Sequence, residues 1–148
     1  MIKNVYSVRP DTTIEEAAAI LLEQNISGLP VVDEQNRLVG IINQIDLFRV
    51  ILSLTGRGKK GVQIAVRVKD MPGPIKEMRE LVLKYGGRTA SILSSGESAP
   101  SGYLNLYFRI YQIDRDKLPS LTKDIEEKGT ILYVVDHKED KRTLYNSK

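Results

Sequence analysis

The sequence contains no cysteine, so the chain forms no disulfide and has no thiol nucleophile. It contains one histidine, His137, so a zinc site built from histidine and cysteine ligands is not available and no metal site is predicted. No apolar run approaches the roughly 18 residues that cross a membrane, and Met1–Asn4 lacks the apolar core of a signal peptide. These absences predict a cytoplasmic protein that has no membrane partner.

Charge and catalytic residues are also sparse. The 22 basic and 19 acidic residues leave a net charge of +3, which does not by itself indicate a nucleic-acid-binding protein. No nucleophile stands with a matching base, and His137 is expected at the surface because Lys138 and Glu139 follow it. The chain is therefore predicted not to be an enzyme and to require no cofactor.

A run of glycine and basic residues at positions 55–61 divides the chain. It contains the pattern GxGxxG between Gly56 and Gly61, but a dinucleotide-binding motif must follow a strand and open a helix. Here the run follows a predicted helix and precedes a predicted strand, which favours a flexible linker. The predicted organisation is a first segment at 1–54, a linker at 55–61, a second segment at 62–136 and a loose polar tail at 137–148.

The first segment is predicted to contain a strand at 5–8, a helix, two strands at 28–32 and 38–42, and a second helix. Thr13 and Glu16 have the spacing of a capping box at the start of the first helix. The second helix, Ile45–Leu54, has almost no polar face. Such a helix must be covered on more than one side, so we expect a homodimer or larger assembly, with these helices and the second segment at the interface.

The segments Ile26–Asp33 and Gly40–Leu47 together resemble a CBS motif, the half-unit of the adenosine-binding sensors called Bateman modules. The resemblance covers about Val5–Leu54. It implies an adenosine-containing small-molecule effector (AMP, ADP, ATP or S-adenosylmethionine), with Asp46 accepting hydrogen bonds from the ribose hydroxyls. Asn43 stands where the family usually has threonine. The residues matching the family's ligand site are Thr12, Thr13, Ser27, Gly28, Leu29, Pro30, Asn43 and Asp46.

The alternative is that these residues have only a structural role, in which Asp46 and Thr13 stabilise the starts of their helices and bind no ligand. Such modules usually carry two CBS motifs and this chain shows one. We therefore expect that another chain, or a first motif preceding Met1–Val5, supplies the missing half.

The second segment follows the order βαββαβ, which is typical of a ferredoxin-like sandwich and makes the fold class α/β, in the α+β sense. It resembles an ACT domain over about Val62–Asp136, through the first turn and Gly86-Gly87. That resemblance implies an amino-acid site at Asp70, Met71, Pro72, Gly73 and Pro74. A CBS motif followed by an ACT domain is similar to the acetoin-utilisation protein B family, so the function predicted is ligand sensing in regulation.

Two other functions stay open. The CBS and ACT units could form a dimerisation scaffold that binds no ligand. Alternatively, Ser101–Phe108 partly matches the strand signature of an RNA-recognition domain, with Tyr103 and Phe108 at aromatic positions. Asn105 and Ser101 depart from that signature, and Phe108 alternates to the face opposite Tyr103, so a nucleic-acid partner is not expected.

Overall fold

The computed structural model describes residues 5–145 and divides into two compact units, Met1–Leu52 and Ser53–Lys148. The first unit holds helix α1, a pair of antiparallel strands and the start of helix α2. The bounds of these elements are α1 Ile14–Glu23, β1 Gly28–Val32, β2 Leu38–Asn43 and α2 Gln44–Leu54. The predicted capping box is present, since Glu16 N donates to Thr13 Oγ1 and Thr13 N donates to Glu16 Oε2.

The strand predicted at 5–8 is wrong except at Val8. Only that residue bridges to β1, parallel to Val31, with hydrogen bonds of 2.9 Å to Pro30 and Val32. Immediately afterwards the chain turns toward α1, because Thr12 N donates to the carbonyl of Arg9. The turn ends the pairing after a single residue.

The first unit has a small core and a large uncovered apolar surface. Among its described residues, five apolar side chains form the core, namely Val8, Ala17, Leu21, Leu29 and Leu47. On β2 and α2, by contrast, most large apolar side chains remain accessible, with Ile41 66% and Phe48 60% exposed. We call this the β2–α2 surface; its other members are Leu38, Val39, Ile45, Ile51, Leu52 and Leu54.

The second unit is a five-stranded antiparallel sheet in the order β4-β5-β3-β6-β7. Its elements are β3 Val62–Lys69, α3 Pro74–Lys84, β4 Arg88–Ser95, β5 Tyr103–Tyr111, α4 Leu118–Glu126, β6 Thr130–Asp136 and β7 Lys141–Leu144. The first six follow the predicted βαββαβ order, and the first strand lies between the third and fourth, as in a ferredoxin-like sandwich. The mixed α+β fold class predicted from the sequence is therefore confirmed.

One face of this sheet packs against both helices. Alternate residues of β3 and β5 are buried against Met78 and Val82 of α3 and against Leu121 and Ile125 of α4. The helix predicted from Asp116 begins with a 3₁₀ turn at Arg115–Lys117, and the α-helix starts at Leu118. Pro119 in its first turn suits that start, because a proline there removes no needed hydrogen bond.

The tail was predicted to be loose, and this is wrong at its centre. Residues Lys141–Leu144 form β7, whose ladder joins Tyr133 to Leu144 and Asp136 to Lys141. Asp140, at φ +51°, closes the hairpin that brings β7 back beside β6. Residues 146–148 of the predicted tail, like Met1–Asn4, lie outside the described residues. No helix within 5–145 is long and apolar enough to span a membrane.

Candidate functional site

Asn43 and Asp46 bind each other across the first turn of α2. Asn43 N donates to Asp46 Oδ2 and Asp46 N donates to Asn43 Oδ1, both at 3.1 Å. This reciprocal pair is a capping box in which asparagine replaces the usual serine or threonine and aspartate replaces the usual glutamate or glutamine. Arg49 Nη1 adds a hydrogen bond of 3.2 Å to Asp46 Oδ1. The Asp46 carboxylate therefore stabilises the helix start, while its side chain stays 36% exposed.

The register of β1 and β2 brings the Ser27–Pro30 segment to this helix start. Gly28 pairs with Asn43, and Gln44 N donates to the carbonyl of Ser27 at 3.2 Å. Ser27 is exposed. Leu29 is fully buried in the core, so its side chain cannot touch a ligand. We call Ser27, Gly28, Asn43 and Asp46 the Asp46 cluster.

Thr12 and Thr13 lie at the opposite end of β1. Val8 pairs with Val31, so the residues that follow it reach the Val32 end of β1, where Arg9 donates to the carbonyl of Asp33. Four residues of strand separate this end from Gly28, which is about 13 Å. Thr12 Oγ1 accepts from Arg9 N, and Thr13 Oγ1 accepts from Glu16 N. The structure therefore does not bring these threonines to the Asp46 cluster.

The turn predicted as an amino-acid site lines a separate crevice in the second unit. Met71, Pro72, Gly73 and Pro74 surround a concavity of about 480 Å³ together with apolar residues of the sheet and the side chains of Lys76 and Arg79. Asp70 is exposed at the adjoining end of β3, and its N donates to the carbonyl of Gly102. Gly73 has φ +117° and precedes a helix whose first residue is Pro74.

The crevice suits a carboxylate at one end. The helix start has no side-chain cap, and the first amides of a helix have no partner within it. Lys76 and Arg79 add positive charge, whereas most of the other lining residues are apolar. An anionic group bearing an apolar side chain fits this combination.

Residues considered for other chemistry take ordinary positions. Phe108 is 2% exposed in the core, so it cannot stack on a base. His137 is exposed and lies 3.2 Å from Gln63 Oε1; burial and the charge of Arg109 lower its pKa. The GxGxxG run lies between α2 and β3, as predicted. Within 5–145 no group of three or more histidine, aspartate or glutamate residues could hold a metal ion.

Sequence reasoning missed one polar group, Arg109. It is 7% exposed, and its Nε has no hydrogen-bond partner among the described residues. Strand alternation places Arg109 on the same face as Tyr103, opposite Phe108, but its burial depends on the neighbouring strands. Pairing of β5 with β3 puts Arg109 opposite Gln63.

Residues 1–53 match the protein-family model described as "CBS domain". The chain contains a CBS domain. It is 29% identical over 91 residues to "CBS domain-containing protein CBSX2, chloroplastic" of Arabidopsis thaliana, covering 62% of this chain and 38% of that protein. It is 31% identical over 134 residues to "Inosine-5'-monophosphate dehydrogenase" of Methanocaldococcus jannaschii, covering 89% of this chain and 25% of that protein.

The chain thus spans well under half the length of these relatives. Among solved structures, "Crystal structure of CBSX2 in complex with AMP" matches at 22% identity and a TM-score of 0.30, covering 84% of this chain and 92% of that one. A TM-score this low adds nothing to the fold described above.

Proposed function

We propose that the chain is a regulatory module whose CBS domain binds an adenosine-containing ligand at the Asp46 cluster and carries out no catalysis itself. The observation that carries the proposal is the convergence of Ser27, Gly28, Asn43 and Asp46 at the start of α2. The homology to CBSX2, a CBS-domain protein, supports it. That protein has been solved with AMP, which makes AMP the first probe to use.

The two polar side chains at the start of α2, Asn43 and Asp46, have capacity left for a ligand. Asp46 uses its two oxygens for Asn43 and Arg49, and a carboxylate oxygen can accept a second hydrogen bond. Asn43 uses its side-chain oxygen for the cap, while its amide nitrogen has no partner among the described residues. A ribose diol can therefore donate to Asp46 while the Asn43 amide donates to an oxygen of the ligand.

Calorimetry with AMP and with adenosine tests this site. Asp46→Asn keeps a cap acceptor but removes the charge, and we expect binding weaker by about 1.5–3 kcal/mol, the range for hydrogen bonds to charged groups. Glu16→Gln is the matched control, because Glu16 has the same capping role in α1 at the far end of β1. Equal affinity of Asp46→Asn and the parent would remove Asp46 from the site.

Assembly through the β2–α2 surface is part of the proposal. A two-stranded sheet is only marginally stable without further packing. A large exposed apolar patch, such as the one on β2 and α2, marks an interface with another protein surface. A second CBS unit would cover it. A ligand that prefers one packing of the two units would shift the population toward that packing. This is how the module would pass a signal to its target.

We propose further that the second unit is an ACT domain whose crevice at Met71–Pro74 binds an amino acid. The apolar lining with Lys76 and Arg79 at the helix start supports this assignment. Gly73→Ala is a poor test, because φ +117° strains any side chain at this position.

Arg79→Gln is sharper than Gly73→Ala. With leucine at millimolar concentration as the probe, the parent should gain thermal stability, and the variant should lose most of that gain. Arg49→Gln, a charge removal in the other unit, is the control and should keep it. A parent that does not respond to leucine would make the crevice an assembly surface only.

One observation supports the alternative, a dimerisation scaffold that binds no ligand. Asn43 and Asp46 already hydrogen-bond each other as a helix cap, so neither side chain requires a ligand as a partner. If neither AMP nor adenosine binds the parent while the chain still dimerises, the scaffold function is the correct one.

A further inference from the structure

The sheet of the second unit has a face that carries no helix. Helices α3 and α4 pack on the face formed by Val62, Ile64, Val66 and Val68, so Gln63, Ala65 and Arg67 point to the other side. Each of these three residues pairs with residues on the neighbouring strands, and the paired residues form a row across the sheet. The rows are Ser91, Arg109, Gln63, Val135 and Arg142; Leu93, Tyr107, Ala65, Tyr133 and Leu144; and Ser95, Asn105, Arg67 and Thr130. We call them the helix-free face.

Only one sign of charge stands on this face. Its rows contain Arg109, Arg142 and Arg67, and none of their residues is acidic. The charge of Arg57 lowers the pKa of both Arg109 and His137, so this further cation lies near them. Asp136 raises the pKa of His137, but its carboxylate is already paired with Arg115. Such an unbalanced set of cations attracts anions.

Arg109 is the least compensated of these cations. It is 7% exposed, and burial lowers its pKa. Among residues 5–145 its Nε has no partner, and Nη2 makes one long hydrogen bond of 3.3 Å, to Gln63 Oε1. Within the described part of the chain no carboxylate lies within ion-pairing distance of it. Buried cations are normally paired, because removing a charge from water is costly.

The acceptor that now holds Arg109 is weak and shared. Gln63 Oε1 faces both Arg109 Nη2 and His137 Nε2, at 3.3 and 3.2 Å, while Gln63 Nε2 donates to Tyr133 Oη at 3.2 Å. These separations lie at the long end of the hydrogen-bond range. An ionised oxygen would be a stronger acceptor for the guanidinium than this amide.

We infer that the helix-free face is an anion site that takes a phosphate group, held by Arg109 and Arg142. The two arginines share one row, with Gln63 and Val135 between them. Their Cα atoms are three strand spacings apart, about 14 Å, a span that two extended arginine side chains can close around one phosphate. Arginine suits this role because its planar donors match phosphate oxygens.

A second copy of the same face is a poorer occupant. In a two-fold symmetric dimer, the helix-free face of one chain would pack against the same face of the other chain. Arginines would then meet arginines, with no acidic residue between them. Tyr107 and Tyr133 of the middle row lie next to the row of Arg109 and Arg142. A phosphate group can come from a small phosphorylated molecule or from a nucleic-acid strand, and both sources share the chemistry inferred here.

Thermal melting of the full chain tests the site with inorganic phosphate, ribose 5-phosphate and a single-stranded oligouridylate, each against chloride at equal ionic strength. At least one phosphate probe should raise the melting temperature of the parent. Arg142→Gln, at an exposed position, and Arg109→Gln should weaken the response at least tenfold in probe concentration. Lys123→Gln, which removes a charge at an exposed position of α4 on the opposite face of the sheet, should keep it.

A response to the small probes assigns the source as a phosphorylated small molecule, and a response to the oligonucleotide alone assigns it as nucleic acid. Should Arg109→Gln fail to fold, Arg142→Gln decides the question. The inference is overturned if no probe stabilises the parent, or if every variant responds as the parent does. It is also overturned if Arg142→Gln changes the particle mass in light scattering and leaves the phosphate response intact, since the face would then join copies of the chain.

Discussion

Arg115 and Asp136 form a two-pronged ion pair at the edge of the second unit's core. Arg115 Nε donates to Asp136 Oδ2 at 2.6 Å, and Nη2 donates to Oδ1 at 2.8 Å. The carboxylate is almost wholly buried, and it also accepts from the amides of Lys138 and Glu139. One side chain thus ties the 3₁₀ turn before α4, the end of β6 and the hairpin to β7 together.

Arg115→Ala should destabilise the fold by about 1.5–3 kcal/mol, because the buried charge of Asp136 loses its cationic partner. Chemical denaturation measures this as a lower midpoint with an unchanged slope. Arg115→Lys keeps the charge but cannot form both hydrogen bonds, so it should fall between the alanine variant and the parent. An alanine variant as stable as the parent would show that the two backbone amides suffice.

The same carboxylate predicts acid sensitivity. Burial raises the pKa of Asp136, but hydrogen bonds from Arg115 and from the amides of Lys138 and Glu139 outweigh it and hold the pKa below the usual 3.8. A depressed folded-state pKa contributes stability above the unfolded-state value and loses it as the pH falls through the folded-state value.

Melting temperatures measured from about pH 6 to about pH 2 should therefore drop at the acid end. Asp136→Asn, less stable at neutral pH, should show a flatter curve over the same range. Parallel curves for the two proteins would assign the acid sensitivity to other carboxylates.

Gly61 allows the backbone before β3 to pack closely against the backbone of β5, which a flexible linker would not require. A Cβ at Gly61 would lie 1.9 Å from the carbonyl oxygen of Ile110, whereas a Cβ at Gly58 would meet no described residue within 4 Å apart from its chain neighbours. Gly61→Ala should therefore cost at least about 1–3 kcal/mol, since the backbone of β5 must move. Gly58→Ala is the matched control and should change the unfolding free energy little. Equal stabilities in denaturant titrations would show that β5 adjusts freely.

Local patterns were enough to predict most elements. The bounds of β1 agree with those predicted, and the Thr13–Glu16 box formed, because both depend on residues close in sequence. The strand β7 was not predicted: its residues KRTL are all exposed and lack an apolar alternation. It forms because the hairpin at Asp140 places it against the free edge of β6.

The candidate sites were predictable only in part. The proximity of Asn43 and Asp46 could be predicted, because residues three apart at a helix start lie within one turn and their side chains can meet. Thr12 and Thr13 were grouped with them, but grouping across strands depends on register, and the parallel bridge at Val8 puts them at the other end of β1. The burial of Arg109 likewise depends on neighbouring strands rather than on its own.

The β2–α2 surface predicts self-association. Phe48 is 60% exposed on α2 within this apolar patch, and a carboxylate there would have to be buried in any interface. Phe48→Glu should therefore reduce the particle mass in light scattering at micromolar concentration, while circular dichroism stays that of a folded chain. Leu22→Glu is the control, because Leu22 is 80% exposed on α1, outside the patch. A parent of monomer mass would mean that the patch is covered by a different protein or by another segment of a longer chain.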